Sequence, residues 1–391
     1  MEIEFWWLLA LPLFFALGWL AARIDIRQVV RESRALPRAY LNGLNFLINE
    51  QQDKAVDAFI EAARIDPDTV ELHFALGALF RRRGETERAI RMHQRLVDRE
   101  DLSEDRRLDA LAALAEDYLR AGLLDRAEAI YLRLRGTRHN EIATHNLLDI
   151  YQQEKEWLKA VDIARSLSGH EGVQWRKEIA NFYCELADNA LASSRHDEAR
   201  AYIDEAIGMN RRCVRASILL GDLLLAEGRL EEAIEAWKRV ENQDPVYLSQ
   251  VAERVMDAYG RLGRLDQGQT LLRAWLERNP TLDLMDHVFK WEIERKGPKA
   301  AYELVREQLR RNPTVLGLEK LLEAAAQQAD AEQRGDIELV KQLIHGHTRR
   351  VARYRCDGCG FKSRQFQWRC PACGGWETYP PRRTEEFDLA P

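Results

Sequence analysis

"YLNGLNFLINEQQDKAVDAFIEAARIDP" (residues 40–67) and "HFALGALFRRRGETERAIRMHQRLVD" (residues 73–98) share a frame. Gly43 recurs as Gly77, Phe46 as Phe80 and Ala55 as Ala89, each 34 residues on. Further along, "ALAEDYLRAGLLDRAEAIYLRL" sets Ala115, Tyr118, Gly122 and Ala127 in the same frame, and "LLDIYQQEKEWLKAVDIARSL" sets Tyr151 and Ala160. "ILLGDLLLAEGRLEEAIEAWKRVENQDP" adds Gly221, Gly228, Ala233, Trp237 and Pro245; "VMDAYGRLGRLDQGQTLLRAWLERNP" adds Tyr259, Gly263, Gly268 and Pro280. Small residues recur where two helices must approach closely, and larger apolar side chains fill the gaps. Gly84, Gly122, Gly228 and Gly263 stand where the first helix of a unit needs a left-handed stop. Pro67, Pro245, Pro280 and Pro313 stand where the second must end. A two-helix unit cannot bury its own apolar face, so the units are expected to stack into a curved solenoid.

This pattern resembles the tetratricopeptide repeat, a helix–turn–helix unit of 34 residues. The resemblance covers residues 36–314 in seven to eight copies, the fifth and eighth degenerate, and implies an all-α superhelical solenoid. Two terminal helices over 315–350 are expected to follow. Composition agrees: 46% hydrophobic and 31% charged residues fit a folded chain. The repeat residues named above are all core positions, so none identifies a ligand. Binding of peptides or proteins along a concave face is implied by the resemblance alone.

The chain opens "MEIEFWWLLALPLFFALGWLAARIDIRQVVRESR", with no charge from Phe5 to Ala22. As a helix that run is about 27 Å long, close to a hydrocarbon core of roughly 30 Å. Trp6, Trp7 and Trp19 suit the two interfaces. Glu2 and Glu4 occupy the place where a signal peptide carries basic residues, which favours a retained anchor over residues 1–22. Arg23, Arg27, Arg31, Arg34 and Arg38 all follow it, in and just beyond a basic linker over 23–35. The positive-inside bias then puts the N-terminus in the periplasm and the body in the cytoplasm. A reducing compartment argues against disulfides among the six cysteines.

Enzyme signatures are missing: there is no G-x-x-x-x-G-K-[ST] loop, no H-E-x-x-H and no G-x-S-x-G. His139 and His145 lack a ligand spacing, and His345 and His347 read as a helix end or linker. Cys184 and Cys213 read as single small core residues. The chain is therefore not expected to be an enzyme.

The other four cysteines lie in "YRCDGCGFKSRQFQWRCPACGGW" (residues 354–376). Two C-x-x-C turns, Cys356/Cys359 and Cys370/Cys373, can each aim two sulfurs at one ion and together complete a tetrahedron. Gly360 and Gly374 follow the second cysteine of each pair, where a positive φ lets backbone N–H groups face the thiolates. Phe361, Trp368, Trp376 and Tyr379 are expected to form a miniature core over residues 351–381, too small to fold without metal, with a tail over 382–391. The knuckles resemble those of rubredoxin, and the wider pattern resembles the zinc module of the repair ATPase RadA, whose phosphate loop this chain lacks. Iron and zinc both accept four thiolates, and spacing does not choose between them. Arg349, Arg350, Arg353, Arg355, Lys362, Arg364 and Arg369 form a basic patch around the module. An anionic partner or lipid headgroup suits a tethered protein better than nucleic acid does.

Anchor, repeats and four-cysteine module in this order resemble the lipopolysaccharide assembly protein B family of Gram-negative bacteria. The resemblance spans residues 1 to about 381. It implies an inner-membrane adaptor that promotes degradation of the lipid A pathway deacetylase LpxC by the membrane protease FtsH and gathers lipopolysaccharide-assembly proteins. The module is expected to pack on the last repeats and to complete a partner surface. Two other classes remain open on sequence: a redox or metal-sensing protein with a rubredoxin-like iron centre, and a nucleic-acid-binding scaffold. Self-association also stays open.

Overall fold

Side-chain caps open several helices and left-handed residues close their partners. Ser103, Thr281 and Thr314 each accept a hydrogen bond from the backbone N–H three residues on, satisfying a donor that the first turn leaves unpaired. Gly84, Gly122, Gly228 and Gly263 have φ of 78°, 73°, 78° and 70°. Pro245, Pro280 and Pro313 each lie two residues beyond a helix end.

The computed structural model describes residues 38–65, 69–171, 175–381 and 384–385. The chain divides into two compact units, Met1–Glu154 and Lys155–Pro391. In the first, the helices are α1 (Arg38–Ile48), α2 (Gln52–Ile65), α3 (Val70–Arg82), α4 (Thr86–Val97), α5 (Glu104–Arg120), α6 (Leu124–Leu134) and α7 (Asn140–Glu154). In the second they are α8 (Trp157–Glu171), α9 (Arg176–Ala192), α10 (His196–Met209), α11 (Val214–Ala226), α12 (Leu230–Gln243), α13 (Leu248–Arg261), α14 (Leu265–Arg278), α15 (Leu282–Arg295), α16 (Pro298–Arg311), α17 (Val315–Ala326) and α18 (Ala331–Val351). A 3₁₀ turn, Pro245–Tyr247, leads into α13. After α18 the chain forms β1 (Ala352–Arg355), β2 (Lys362–Ser363) and β3 (Thr384–Glu385), an antiparallel sheet in the order β2-β1-β3. Each unit is an array of helix pairs, and the second ends in this small ribbon. Among the described residues no helix is long and apolar enough to cross a membrane. The expected anchor and basic linker, and Pro67, lie outside the described residues.

The 34-residue frame works through one close approach per pair. A Cβ built on Gly43 would stand 2.7 Å from the Phe59 ring, on Gly77 2.3 Å from His93, and on Gly221 2.3 Å from Trp237. The glycine on the first helix thus makes room for a large ring on the second. Trp237 is fully buried and its Nε1 donates to the Ile218 carbonyl at 3.2 Å.

In the first unit the same position carries a polar network. His93 Nδ1 lies 2.5 Å from Asp117 Oδ2, and Arg81 donates to Asp117 Oδ1 at 2.8 Å. His93 and Asp117 are 1% and 0% exposed, so Asp117 owes its place in the core to these partners. The sequence frame marks the position as core but gives no sign that α4 and α5 meet there through a buried polar pair.

Three turns between described helices reach the left-handed region without glycine: Glu50, Lys155 and Ser194 have φ of 57°, 59° and 56°. Ser194, between α9 and α10, occupies the turn position that Gly228 fills between α11 and α12. A Cβ in this region costs roughly 1–2 kcal/mol, partly offset by the greater freedom glycine has when unfolded. Ser194→Gly is therefore expected to stabilise by about 0.5–1 kcal/mol and Gly228→Ala to destabilise by about 1 kcal/mol. Thermal unfolding of each variant reads this as shifts of opposite sign.

Candidate metal centre and its seat on the repeats

The two C-x-x-C turns fold alike. Cys356 N–H donates to the Phe361 carbonyl and its own carbonyl accepts from Gly360 N–H, both at 2.9 Å; Cys370 does the same with Gly375 and Gly374, also at 2.9 Å. Gly360 and Gly374 have φ of 75° and 72°, the conformation that brings each turn back over its cysteines. The four sulfurs of Cys356, Cys359, Cys370 and Cys373 lie within 4.8 Å of one another. Cys356–Cys373 and Cys359–Cys370 Sγ separations are 3.8 and 3.7 Å. A tetrahedron with metal–sulfur bonds of about 2.3 Å has edges of about 3.8 Å, so the donor set fits one tetrathiolate ion. His345, which lies 2.7 Å from Glu319, is not part of this group, and the side chain of His347 lies outside the described residues.

Electrostatics in the group are opposed. Burial raises the Cys356 thiol, but the Thr378 hydroxyl and the N–H groups of Cys359 and Gly358 outweigh it and bring the pKa down to about 6. At Cys359 the Phe361 N–H pulls downward, while desolvation and the other sulfurs push the thiol up to about 12. Four thiols this close cannot all ionise without a cation, whose charge would reverse that balance.

The expected aromatic core is redistributed. Tyr379, fully buried, donates its hydroxyl to the Tyr354 carbonyl at 3.0 Å, and these two rings with Phe366 form the core beside Cys356 and Cys370. Phe361 is instead 38% exposed. Trp368 and Trp376 face the repeats.

That seat departs from expectation. The ribbon lies on α8, α9, α11 and α13 rather than on the last repeats. Trp376 meets Trp157 and Phe182 edge-on, with centroids 6.0 and 5.9 Å away. Trp368 stacks on Tyr247 at 5.2 Å with planes 2° apart, and Phe366 meets the same ring edge-on at 6.2 Å. Arg215, 4% exposed and paired with Glu185 at 2.6 Å, holds its guanidinium 5.6 Å from the Trp368 ring. Asn181 donates to Glu377 at 2.9 Å, Lys177 pairs with Glu377 at 3.5 Å, and Ser249 donates to the Pro381 carbonyl at 3.4 Å. The cause is the length of α18: 21 residues span about 31 Å, which carries the ribbon away from the array's end. Burial pushes the Tyr247 phenol up, and burial followed by the charge of Glu377 raises the Glu178 carboxyl.

The expected basic patch is only partly a surface. Arg369 donates to the Gly374 carbonyl at 3.2 Å and lies 5.8 Å from the Trp376 ring, so it braces the second turn. Arg364 borders an open cleft of about 600 Å³ with Glu319, Glu338, Lys341 and His345, a mixed rather than basic lining. The side chains of Arg349, Arg350 and Arg353 lie outside the described residues. Cys184 and Cys213, read as separate, have buried sulfurs 3.8 Å apart, and burial drives the Cys184 thiol well up.

Residues 40–101 and 184–245 match the tetratricopeptide repeat model, and residues 354–381 match the rubredoxin metal binding domain model. The fold and its cysteine group thus define a tetratricopeptide-repeat protein with a C-terminal rubredoxin-type ribbon. Lipopolysaccharide assembly protein B of Escherichia coli K12 is 36% identical over 378 residues, covering 96% of this chain and 97% of its own. The Haemophilus influenzae Rd protein of the same name is 32% identical, covering 97% and 98%. The chain belongs to the lipopolysaccharide assembly protein B family. Among solved structures, that of MamA is 18% identical with a TM-score of 0.31, covering 46% of this chain and 94% of its own.

Proposed function

We propose that this chain is a non-catalytic adaptor for lipopolysaccharide assembly, anchored in the inner membrane by residues 1–22 with its body on the cytoplasmic side. One metal ion, iron or zinc, held by Cys356, Cys359, Cys370 and Cys373 keeps the ribbon folded. The observation that carries the reading is the seat: Trp368, Trp376 and Glu377 join the ribbon to α8, α9, α11 and α13. A metal-held end piece then becomes part of the repeat surface offered to partners. The ion would supply the fixed positive charge that allows four thiolates to coexist, while the side chains of the seat transmit its presence to the helices. The uncharged run Phe5–Ala22 and the arginines behind it support the anchor. Tethering raises the effective concentration of the body near other membrane proteins.

Family membership extends the reading to partners: the adaptor presents LpxC to FtsH and gathers other assembly proteins. The test is the lifetime of LpxC in cells whose own adaptor gene is replaced by one encoding this chain. Full-length chain is expected to keep LpxC short-lived, and chain lacking residues 1–22 to leave it several-fold longer-lived at equal abundance. Equal LpxC lifetimes with and without the anchor would contradict the tethering mechanism.

A further inference from the structure

Asn181, Arg215 and Ser249 stand 34 residues apart, one on each of α9, α11 and α13, and each holds the ribbon. The ribbon therefore lies along one register position of three successive repeats. Beside that row is a pair of thiols with no part in the metal centre. Cys184 follows Asn181 by three residues, on the same face of α9, and Cys213 precedes Arg215 by two, at the start of α11. Both are free, both are 0% exposed, and their sulfurs are 3.8 Å apart. A disulfide is about 2.05 Å long, so the gap is within the swing of two Cβ–Sγ bonds.

The ribbon contributes to the state of this pair. Phe182 meets Trp376, Arg215 meets Trp368, and the charge of Glu377 reaches Cys184. Burial first, and then Cys213, hold the Cys184 thiol protonated; Glu377 adds to this and Arg215 opposes it. When the ribbon leaves, Glu377 goes with it and water reaches this face. Arg215 stays, held by Glu185 and Asp188 of α9 at 2.6 and 3.4 Å, and its charge then favours the thiolate.

We propose that Cys184 and Cys213 are a latent disulfide guarded by the ribbon. With the ribbon seated the thiols are kept from oxidants; with it released, a hydroperoxide joins them. One sulfur, as thiolate, attacks the terminal peroxide oxygen; the O–O bond breaks, and the departing alkoxide or hydroxide takes up a proton. The second sulfur attacks the sulfenic acid so formed, and its proton leaves with the sulfenic hydroxyl as water. Two electrons pass from the sulfurs to the peroxide, which ends as alcohol and water. The link turns a reversible release into a covalent tie between α9 and α11, held until a thiol reductant cleaves it. Because Glu185 and Arg215 flank the two cysteines, the tie also shifts the guanidinium beside which Trp368 sits.

The test treats full-length chain in lipid vesicles, with its metal bound, with hydrogen peroxide. Free thiols are then alkylated and the chain is digested with trypsin without reductant. Residues 178–195 and 213–215 are tryptic peptides, and their disulfide-linked product is the readout. Trp376→Ala is expected to form it at least tenfold faster than the native chain. Trp368→Ala, which loosens the other attachment, should give an independent rise. Dithiothreitol should remove the product, and Cys213→Ser should not form it. No linked peptide in any chain, equal rates in the native chain and both tryptophan variants, or linkage of Cys184 to a ribbon cysteine instead would overturn the proposal.

Discussion

Cys356→Ser combined with Cys359→Ser is expected to lower bound metal from one ion per chain to none and to unfold the ribbon. The module's own core is little more than Tyr379, Tyr354 and Phe366 beside two cysteines, too little apolar surface to hold some thirty residues. Metal binding by comparable modules contributes on the order of 10–16 kcal/mol, far beyond what that core supplies. Once the ribbon unfolds, Trp376 leaves Trp157 and Phe182, and Trp368 leaves Tyr247. Tryptophan fluorescence should shift to the red, and limited proteolysis should cut between residues 352 and 381 while sparing α1 to α7. Partner regulation should fall with it, although the chain remains in the membrane. Regulation that persists when elemental analysis shows no metal would contradict the role given to the ribbon.

Trp376→Ala separates docking from metal binding. Trp376 is 4% exposed, and its contacts with Trp157 and Phe182 form one of the two apolar attachments of ribbon to repeats. Truncating a buried tryptophan costs about 3–5 kcal/mol, including the edge-to-face contacts. The backbone hydrogen bonds of both knuckle turns do not involve this ring, and Arg369 keeps its bond to the Gly374 carbonyl without it, so the variant should still hold one ion per chain. Its ribbon should nonetheless become protease-sensitive, and Asn181 should lose the bond to Glu377. Loss of the ion in this variant would show that seat and site fold as one, against the separation argued here.

The repeats were legible because their chemistry is local and recurs. A glycine opposite a ring at Gly43, Gly77 and Gly221, and a glycine at the turns of Gly84, Gly122, Gly228 and Gly263, are patterns that one sequence displays repeatedly. Glu50, Lys155 and Ser194 escaped notice because side chains other than glycine reach the left-handed region only under tertiary constraint. The four metal-ligand candidates were legible for a similar reason: each pair sits within one turn. The seat was not legible. Asn181 and Glu377 are 196 residues apart, and nothing near either residue announces the other. Phe361, expected in the core, is 38% exposed, while Phe366 takes a place beside Cys356 and Cys370. Trp368 and Trp376 were assigned to the ribbon's interior when the repeats supply the surface that buries them.

The central claim is that a metal-held ribbon and the middle of the second unit's array form one surface. Hydrogen exchange of full-length protein in vesicles, with its metal bound and after chelation, tests it most directly. Metal removal is predicted to speed exchange in residues 352–381 and, with it, in the first turns of α9, α11 and α13, while α1 to α7 keep their rates. Faster exchange confined to the ribbon, with α9, α11 and α13 unchanged, would contradict it.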